Sequence, residues 1–287
     1  MLMTRFIYIA DTHLGASPET YFQQNPYRDK LSEILAALDA WIRQNGRIDF
    51  VIHGGDMVES PSEDSIGRAA NLFRLSVPVH FSIGNHDMRA ANAPELWLRL
   101  APELFRGNKL DFSLQRADCT IHVVPTQWCD TAYFWKEEMK EHFLPEQVSA
   151  LETGLAKSPD LPHILVTHGP VLGLPTDQTG FDAPYHPPVE SFTQSILALA
   201  ERHPNLACVL SAHSHCNMHV KVGRVHYVTV SALPESPFEF KLIEVGEGRL
   251  MMKTLNLISS VNFDAEYDLS HTFVQGHEKD RGFEERL

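Results

Sequence analysis

No stretch of the 287-residue sequence approaches the about 18 consecutive apolar residues that a membrane-spanning helix requires. The apolar run near the N-terminus is only a few residues long and is interrupted by Asp11, so it does not read as a secretory signal. Lys and Arg never form a run, and the net charge is −13 with His counted as neutral. A protein that tracks a phosphate backbone carries a basic face or stripe, so long nucleic acid is disfavoured as a substrate, although bound divalent cations would offset part of the negative charge locally. Cysteine is scarce. Cys119, Cys129, Cys208 and Cys216 show no C-x-x-C spacing; a Cys208–Cys216 pair stays open, but four cysteines in a chain of this size suggest reduced thiols. An internal repeat and a low-complexity linker are also lacking. The expectation is a soluble, cytoplasmic protein that does not engage membranes. Its composition, 43% hydrophobic and 21% charged, is that of an ordinary globular domain with a sizeable core. One domain over residues 1–259 is expected, followed by a polar tail over 260–287 that suits a lid, an arm for homodimer contacts or a loosely ordered end.

Short apolar runs at Phe6–Ala10, Phe50–His53, Val79–Ile83, Thr120–Val124, Ile164–Thr167 and Ala207–Ser211 read as buried strands. Helical patterns lie between them. Lys30–Arg43 puts Leu31, Ile34, Leu35, Leu38 and Ile42 on one face, and 145–156 and 189–202 repeat that spacing. Such alternation predicts an α/β fold whose sheet is at least partly parallel. After residue 216 the pattern changes to Met218–Val222, Val225–Val230, Phe238–Val245 and Arg249–Leu255, joined by Gly-bearing turns, which predicts an antiparallel meander forming a second sheet.

Polar clusters follow five of the six strands: Asp11-Thr12-His13, Gly54-Gly55-Asp56, Gly84-Asn85-His86-Asp87, Thr167-His168-Gly169 and His213-Ser214-His215. Sites in open α/β sheets gather outside the carboxyl ends of the strands, so these clusters should converge. Oxygen and imidazole donors together suit first-row transition ions, and burying so many of them without metal would be costly. Each fragment alone is weak; five in order are a strong signal.

The order DTH, GGD, GNHD, H and HSH resembles the calcineurin-like metallophosphoesterase family, over about residues 5–230. The resemblance implies a four-layer α/β/β/α sandwich of two mixed sheets with the metal site at the strand ends. It implies that Asp11, His13 and His215 hold one metal, that Asn85, His168 and His213 hold another, and that Asp56 bridges them. The metals would be divalent or mixed-valence, with Mn, Fe and Zn the leading choices. His86 would contact the substrate phosphate outside the metal shell, beside Asn85, and assist the leaving group, with Asp87 orienting His86 or capping a turn. One departure is Ala212, where the family usually has Gly. The chemistry implied is two-metal hydrolysis, in which paired cations clamp a phosphoryl oxygen and acidify water.

The size, acidity and motif string look closest to the class III cyclic-nucleotide phosphodiesterase branch, which favours small phosphodiesters. Phosphomonoesters and nucleotide-conjugate diphosphates share the same motifs. Asp11–Gly15 also matches the nuclease branch, but further DNA-binding elements are not evident. A non-catalytic metal-binding scaffold is the rival outside enzymes; retention of His86 speaks against it. In the loop after His168, Phe181, Tyr185 and His186 are candidates to line the substrate pocket. Tyr21, Phe22, Trp128, Tyr133, Phe134 and Trp135 can stack on a base, although packing of a loop is the preferred reading for each. His53, His122, His219 and His226 read as sheet residues.

Overall fold

The computed structural model describes residues 3–20 and 22–287. Twelve strands among them form two sheets of six. In the first sheet β1 (Thr4–Ile9), β2 (Phe50–His53) and β3 (Val79–Phe81) run parallel, and β10 (Glu239–Gly246), β11 (Arg249–Asn256) and β12 (Gly282–Arg286) continue antiparallel from the other side of β1. In the second, β5 (Thr120–Val123), β6 (His163–Val166), β7 (Leu206–Ser211) and β9 (Val225–Thr229) are parallel, with β4 (Phe112–Gln115) and β8 (Met218–Val222) as antiparallel edges. The central strands are nearly all apolar because both of their faces are covered. Phe6, Tyr8 and Ile52 of one sheet and Ile121, Val166 and Leu210 of the other fill the space between the sheets.

Helices cover the outer faces. α1 (Leu31–Gln44), α2 (Glu63–Leu72) and α3 (Ala93–Leu100) pack on the first sheet; α4 (Pro145–Lys157) and α6 (Glu190–Arg202) pack on the second. α5 (Thr176–Thr179) is a single turn in the loop after β6. The result is the expected four-layer α/β/β/α sandwich of two mixed sheets. On α1 the buried face is Leu31, Ile34, Leu35, Ala37, Leu38 and Ile42, the stripe read from the sequence with one alanine added.

The expected single meander after residue 216 is corrected. β8–β9 and β10–β11 are both antiparallel hairpins, but the first extends the second sheet and the second extends the first. The crossing falls in residues 230–238, so neighbouring strands in sequence lie in different layers. Residues 260–287 contribute the edge strand β12 and the 3-10 turns Leu269–Gln275 and Glu278–Asp280. α2 and α3 escaped the sequence reading, although Ser62 caps the start of α2 by accepting from the Ser65 amide and Pro94 sits in the first turn of α3.

Lys241 is fully buried on β10 and donates to Thr254 Oγ1 at 2.8 Å. Burial lowers its pKa from 10.5 to about 7, against the opposing pull of Glu239. The unfolded chain therefore binds one more proton than the folded chain between about pH 7 and pH 10.5, and stability rises with pH through that window. Lys241→Met, which removes the buried charge at similar volume, should raise stability at pH 7 by about 1–4 kcal/mol, and the gain should vanish toward pH 10.5. Thermal unfolding of both proteins across that range checks it; an equal or lower melting temperature for the variant at pH 7 would refute it.

Candidate metal centre

Five loops leave the carboxyl ends of β1, β2, β3, β6 and β7 and meet where the two sheets adjoin. Backbone hydrogen bonds stitch them together: Asp11 N to Gly55 O at 3.0 Å, His13 N to Asp56 O at 2.9 Å and Ala212 N to His168 O at 2.9 Å. The His213 amide donates to Asp11 Oδ2 at 3.2 Å and the His86 amide to Asp56 Oδ1 at 2.8 Å. Asp11, His13, Asp56, His213 and His215 all adopt left-handed backbone, with φ of 54°, 42°, 54°, 67° and 55°. Each such residue costs about 1–3 kcal/mol, and glycine would avoid that cost but bring no donor group. The glycines stand instead where side chains are excluded. A Cβ on Gly55 would lie 2.2 Å from His168 Nδ1, and one on Gly84 would lie 2.4 Å from the Asp56 amide. Ala212 is absent from the positive-φ residues and its methyl is buried in the inter-sheet core, so the departure from glycine is accommodated.

All seven residues read from the motifs come together, and all but half-buried His213 are almost wholly buried. His13 Nε2 faces His215 Nε2 at 3.1 Å, with Asp11 Oδ1 3.8 Å from the same His215 nitrogen. On the other side, His168 Nε2 and His213 Nδ1 each stand 3.1 Å from Asn85 Oδ1. Asp56 Oδ2 lies between the two groups, 3.2 Å from His168 Nε2 and 3.7 Å from His13 Nε2.

These donors fit a pair of metal ions. Asp11 Oδ1 is buried without a hydrogen-bond partner among the described residues, and the nearest imidazoles, at 3.8 and 4.0 Å, are too far to supply one. Donors sharing a cation at 2.0–2.2 Å each stand about 3–4 Å apart, which is the spacing found. His168 Nδ1 lies 2.9 Å from Gly54 O and His215 Nδ1 lies 2.8 Å from Glu235 Oε1. A proton on each Nδ1 leaves Nε2 for an ion.

The electrostatics are those of a crowded donor set. Burial pushes the Asp11 carboxyl up to about 6 despite His215 and His168, and pushes His13 down to about 3. Burial works against the charged form of His168, but Asp56 and Asp11 outweigh it and lift that imidazole to about 9. Asp56 is correspondingly held well below the usual carboxylate range, with His168 overcoming the effect of burial.

Two carboxylates of this site escaped the sequence reading. Glu235 backs His215. Glu59 Oε2 lies 3.3 Å from His13 Nδ1 and 3.1 Å from His86 Nδ1, while its other oxygen accepts from Arg89. The signal for Glu59 was its place three residues after Asp56; Glu235 had no comparable signal. Of the two roles expected of Asp87, the structure shows the capping of a turn and not the orienting of His86. Asp87 accepts from the amides of Met57, Val58 and Gly84 and thereby fixes the two neighbouring loops. It is Glu59 that faces the His86 ring. Trp135 lies against His86 at 5.0 Å and Trp128 against His213 at 4.8 Å, so both tryptophans pack their loop and wall the site. Tyr133 bonds Asp111, and Phe134 O accepts from the Cys129 thiol at 3.0 Å. Phe22 is exposed on its loop, and Tyr21 lies outside the described residues. His186 comes within 5.4 Å of the His213 ring and stacks on Tyr185 at 4.2 Å; Phe181 lies one ring further out. His53, His122, His219 and His226 lie in strands, as read.

A family model described as calcineurin-like phosphoesterase matches residues 4–217. The chain belongs to this family. Family membership brings metal-dependent phosphoester hydrolysis and a dinuclear metal site, consistent with the His/Asp clusters above. Among curated proteins no match is found. Solved structures share the fold at low identity. A dimetal phosphatase from Danio rerio superposes with a TM-score of 0.68 at 15% identity, over 88% of this chain and 96% of its own. GAP50 of Plasmodium, described as the anchor in the inner membrane complex, gives 0.60 at 11% identity, over 93% of this chain and 89% of its own. Purple acid phosphatase PPD1 from yellow lupin gives 0.62 at 12% identity, over 99% of this chain and 53% of its own. No helix of the described residues is long and apolar enough to cross a membrane.

Glu59→Gln keeps the shape of the side chain but removes the charge that His13, His86 and Arg89 share. Turnover or metal affinity should fall about 10–100-fold, as for other carboxylates that hold a site histidine. Steady-state kinetics with metal analysis checks this, and an unimpaired variant would show that Glu59 is only a surface acid.

Proposed function

We propose that the protein is a dinuclear-metal-dependent phosphodiesterase acting on small phosphodiesters, cyclic nucleotides included. Asp11, His13 and His215 would hold one ion and Asn85, His168 and His213 the other, with Asp56 placed to serve both. The observation that carries this reading is the facing of seven donors at about 3–4 Å across two subsites joined by the Asp56 carboxylate. When bound, the ions supply Lewis acidity toward a phosphoryl oxygen and an acidified water.

The chain's own groups supply the rest. Asn85 would face its ion with Oδ1, beside the two imidazole nitrogens, which leaves the Nδ2 hydrogens for a phosphoryl oxygen. His86 stands beside the first subsite with Nδ1 on Glu59, so Nε2 is the atom that serves the phosphate or the leaving oxygen. The Trp135 ring against His86 excludes water from one face and limits the imidazole to one orientation. Arg89 lies over that tryptophan at 4.9 Å and balances the charge of Glu59. A net charge of −13 without a basic run favours a small ester over a polymer.

Monoesters and nucleotide-conjugate diphosphates are the alternative substrates, with DNA behind them. A non-catalytic scaffold is the remaining reading; a Plasmodium protein of the same fold is described as an anchor in the inner membrane complex. The full donor set and the Glu59-held His86 argue against it here. We read the protein as cytoplasmic and leave a homodimer open.

The test is hydrolysis of bis-p-nitrophenyl phosphate beside p-nitrophenyl phosphate, with Mn²⁺ and with a chelator. Chelator-sensitive turnover favouring the diester is expected; turnover of the monoester alone would overturn the diesterase assignment. His86→Ala should retain two metals and lose about 100-fold or more in turnover, whereas Asp56→Asn should lower occupancy of both subsites. His86 also falls in one geometric donor group with His13 and Asp56, so a His86→Ala protein that loses its metals would make His86 a ligand.

A further inference from the structure

A chain of rings leads from the donor set to the rim. His213 contacts His186 at 5.4 Å, His186 stacks on Tyr185 at 4.2 Å and 18°, Tyr185 meets Phe181 edge-on at 5.6 Å, and Phe181 meets Phe273 edge-on at 5.5 Å. Two hydrogen bonds, one of them from outside the loop, hold this ladder in place. Gln23 Nε2 donates to Tyr185 Oη at 2.6 Å, and Gln178 Nε2 donates to Phe273 O at 2.9 Å. Tyr185 and Phe273 pack on a small apolar cluster with Leu174, Cys216, Met218 and Val274, which accounts for those two rings. It does not account for Phe181, whose side chain is 45% exposed although edge contacts fix it on two sides.

His186 adds a second, independent observation. Its φ of 45° puts it in the left-handed region, as for the donor residues, although it belongs to none of the motifs. Its Nδ1 is buried and has no hydrogen-bond partner among the described residues. A buried polar atom without a partner is costly, and an adjacent row of rigid rings binds flat groups by stacking. Aliphatic side chains would have served a lipid or alkyl group equally well, whereas these positions hold rings, with polar atoms at Tyr185 Oη and His186 Nδ1.

We propose that this ladder is a subsite for a planar, nitrogen-bearing aromatic group of the substrate, of the nucleobase class, with Phe181 as its outer stacking face and His186 Nδ1 as its polar contact. The proposal rests on the phosphoester-hydrolase reading above and narrows its substrate. It also gives residues 269–275 a part in specificity, because Phe273 positions Phe181.

Equilibrium binding separates the two readings, since it does not require turnover. Adenosine 5′-monophosphate and ribose 5-phosphate share phosphate and sugar and differ in the base. Calorimetry on the Mn²⁺-loaded protein should show the nucleotide bound about tenfold more tightly, the effect of one base stack. Phe181→Ala should abolish that preference while leaving ribose 5-phosphate unchanged, and Phe181→Leu, which keeps apolar bulk without a plane, should behave like the alanine variant. Equal binding of the two ligands by the unaltered protein, or equal weakening of both by Phe181→Ala, would overturn the proposal, as would full retention of base preference in Phe181→Leu. Base preference without hydrolysis of any phosphoester would remove the hydrolase reading and leave the ladder standing.

Discussion

Asp56 sits where every part of the structure meets. One oxygen of its carboxylate is tied to the His86 amide and the other is aimed at His168 and His13, which reach it from different sheets. Burying such a group among six other polar side chains costs several kcal/mol unless each finds a partner, so the surrounding chain has little freedom. Gly55 and Gly84 have no room for a side chain. Asp11, His13, His213 and His215 accept left-handed backbone that their neighbours must hold. The parallel strands in both sheets then appear as the means of delivering five loops to one edge.

Around this core a second layer of carboxylates connects the site to its rim. Glu59 joins His13 to His86 and Arg89. Glu235 backs His215 and accepts from the Gln23 and Gln24 amides, which anchors the loop over residues 14–27. Gln24 in turn donates to Asp268 O, and the Glu266 amide donates to Tyr27 Oη at 2.6 Å. The C-terminal segment is thus joined to His215 through one loop and one carboxylate, that of Glu235.

The strands and donors were legible because they rest on local patterns. A strand covered on both faces must be apolar along its length, and a donor at its end must be polar, so Phe50–His53 followed by Gly54-Gly55-Asp56 announces both at once. The second carboxylate layer was not legible. Glu235 meets His215 across a crossing between sheets, and an isolated Glu among 37 acidic residues carries no mark of that meeting. The choice between the two roles of Asp87 was not legible for a related reason: adjacency to His86 in sequence allowed contact, but the short 3-10 turn at His86–Met88 sends its carboxylate inward to three amides.

The sequence by itself therefore determined ten of the twelve strands, the helices α1, α4 and α6 and the identity of the seven inward-facing polar residues, because periodicity and residue chemistry are properties of short segments. Only the tertiary structure decided that the two C-terminal hairpins belong to different sheets, that residues 282–286 close one edge, and that Glu59 and not Asp87 holds His86. Those outcomes depend on which surfaces remain uncovered once the rest of the chain has packed, and no local pattern records that.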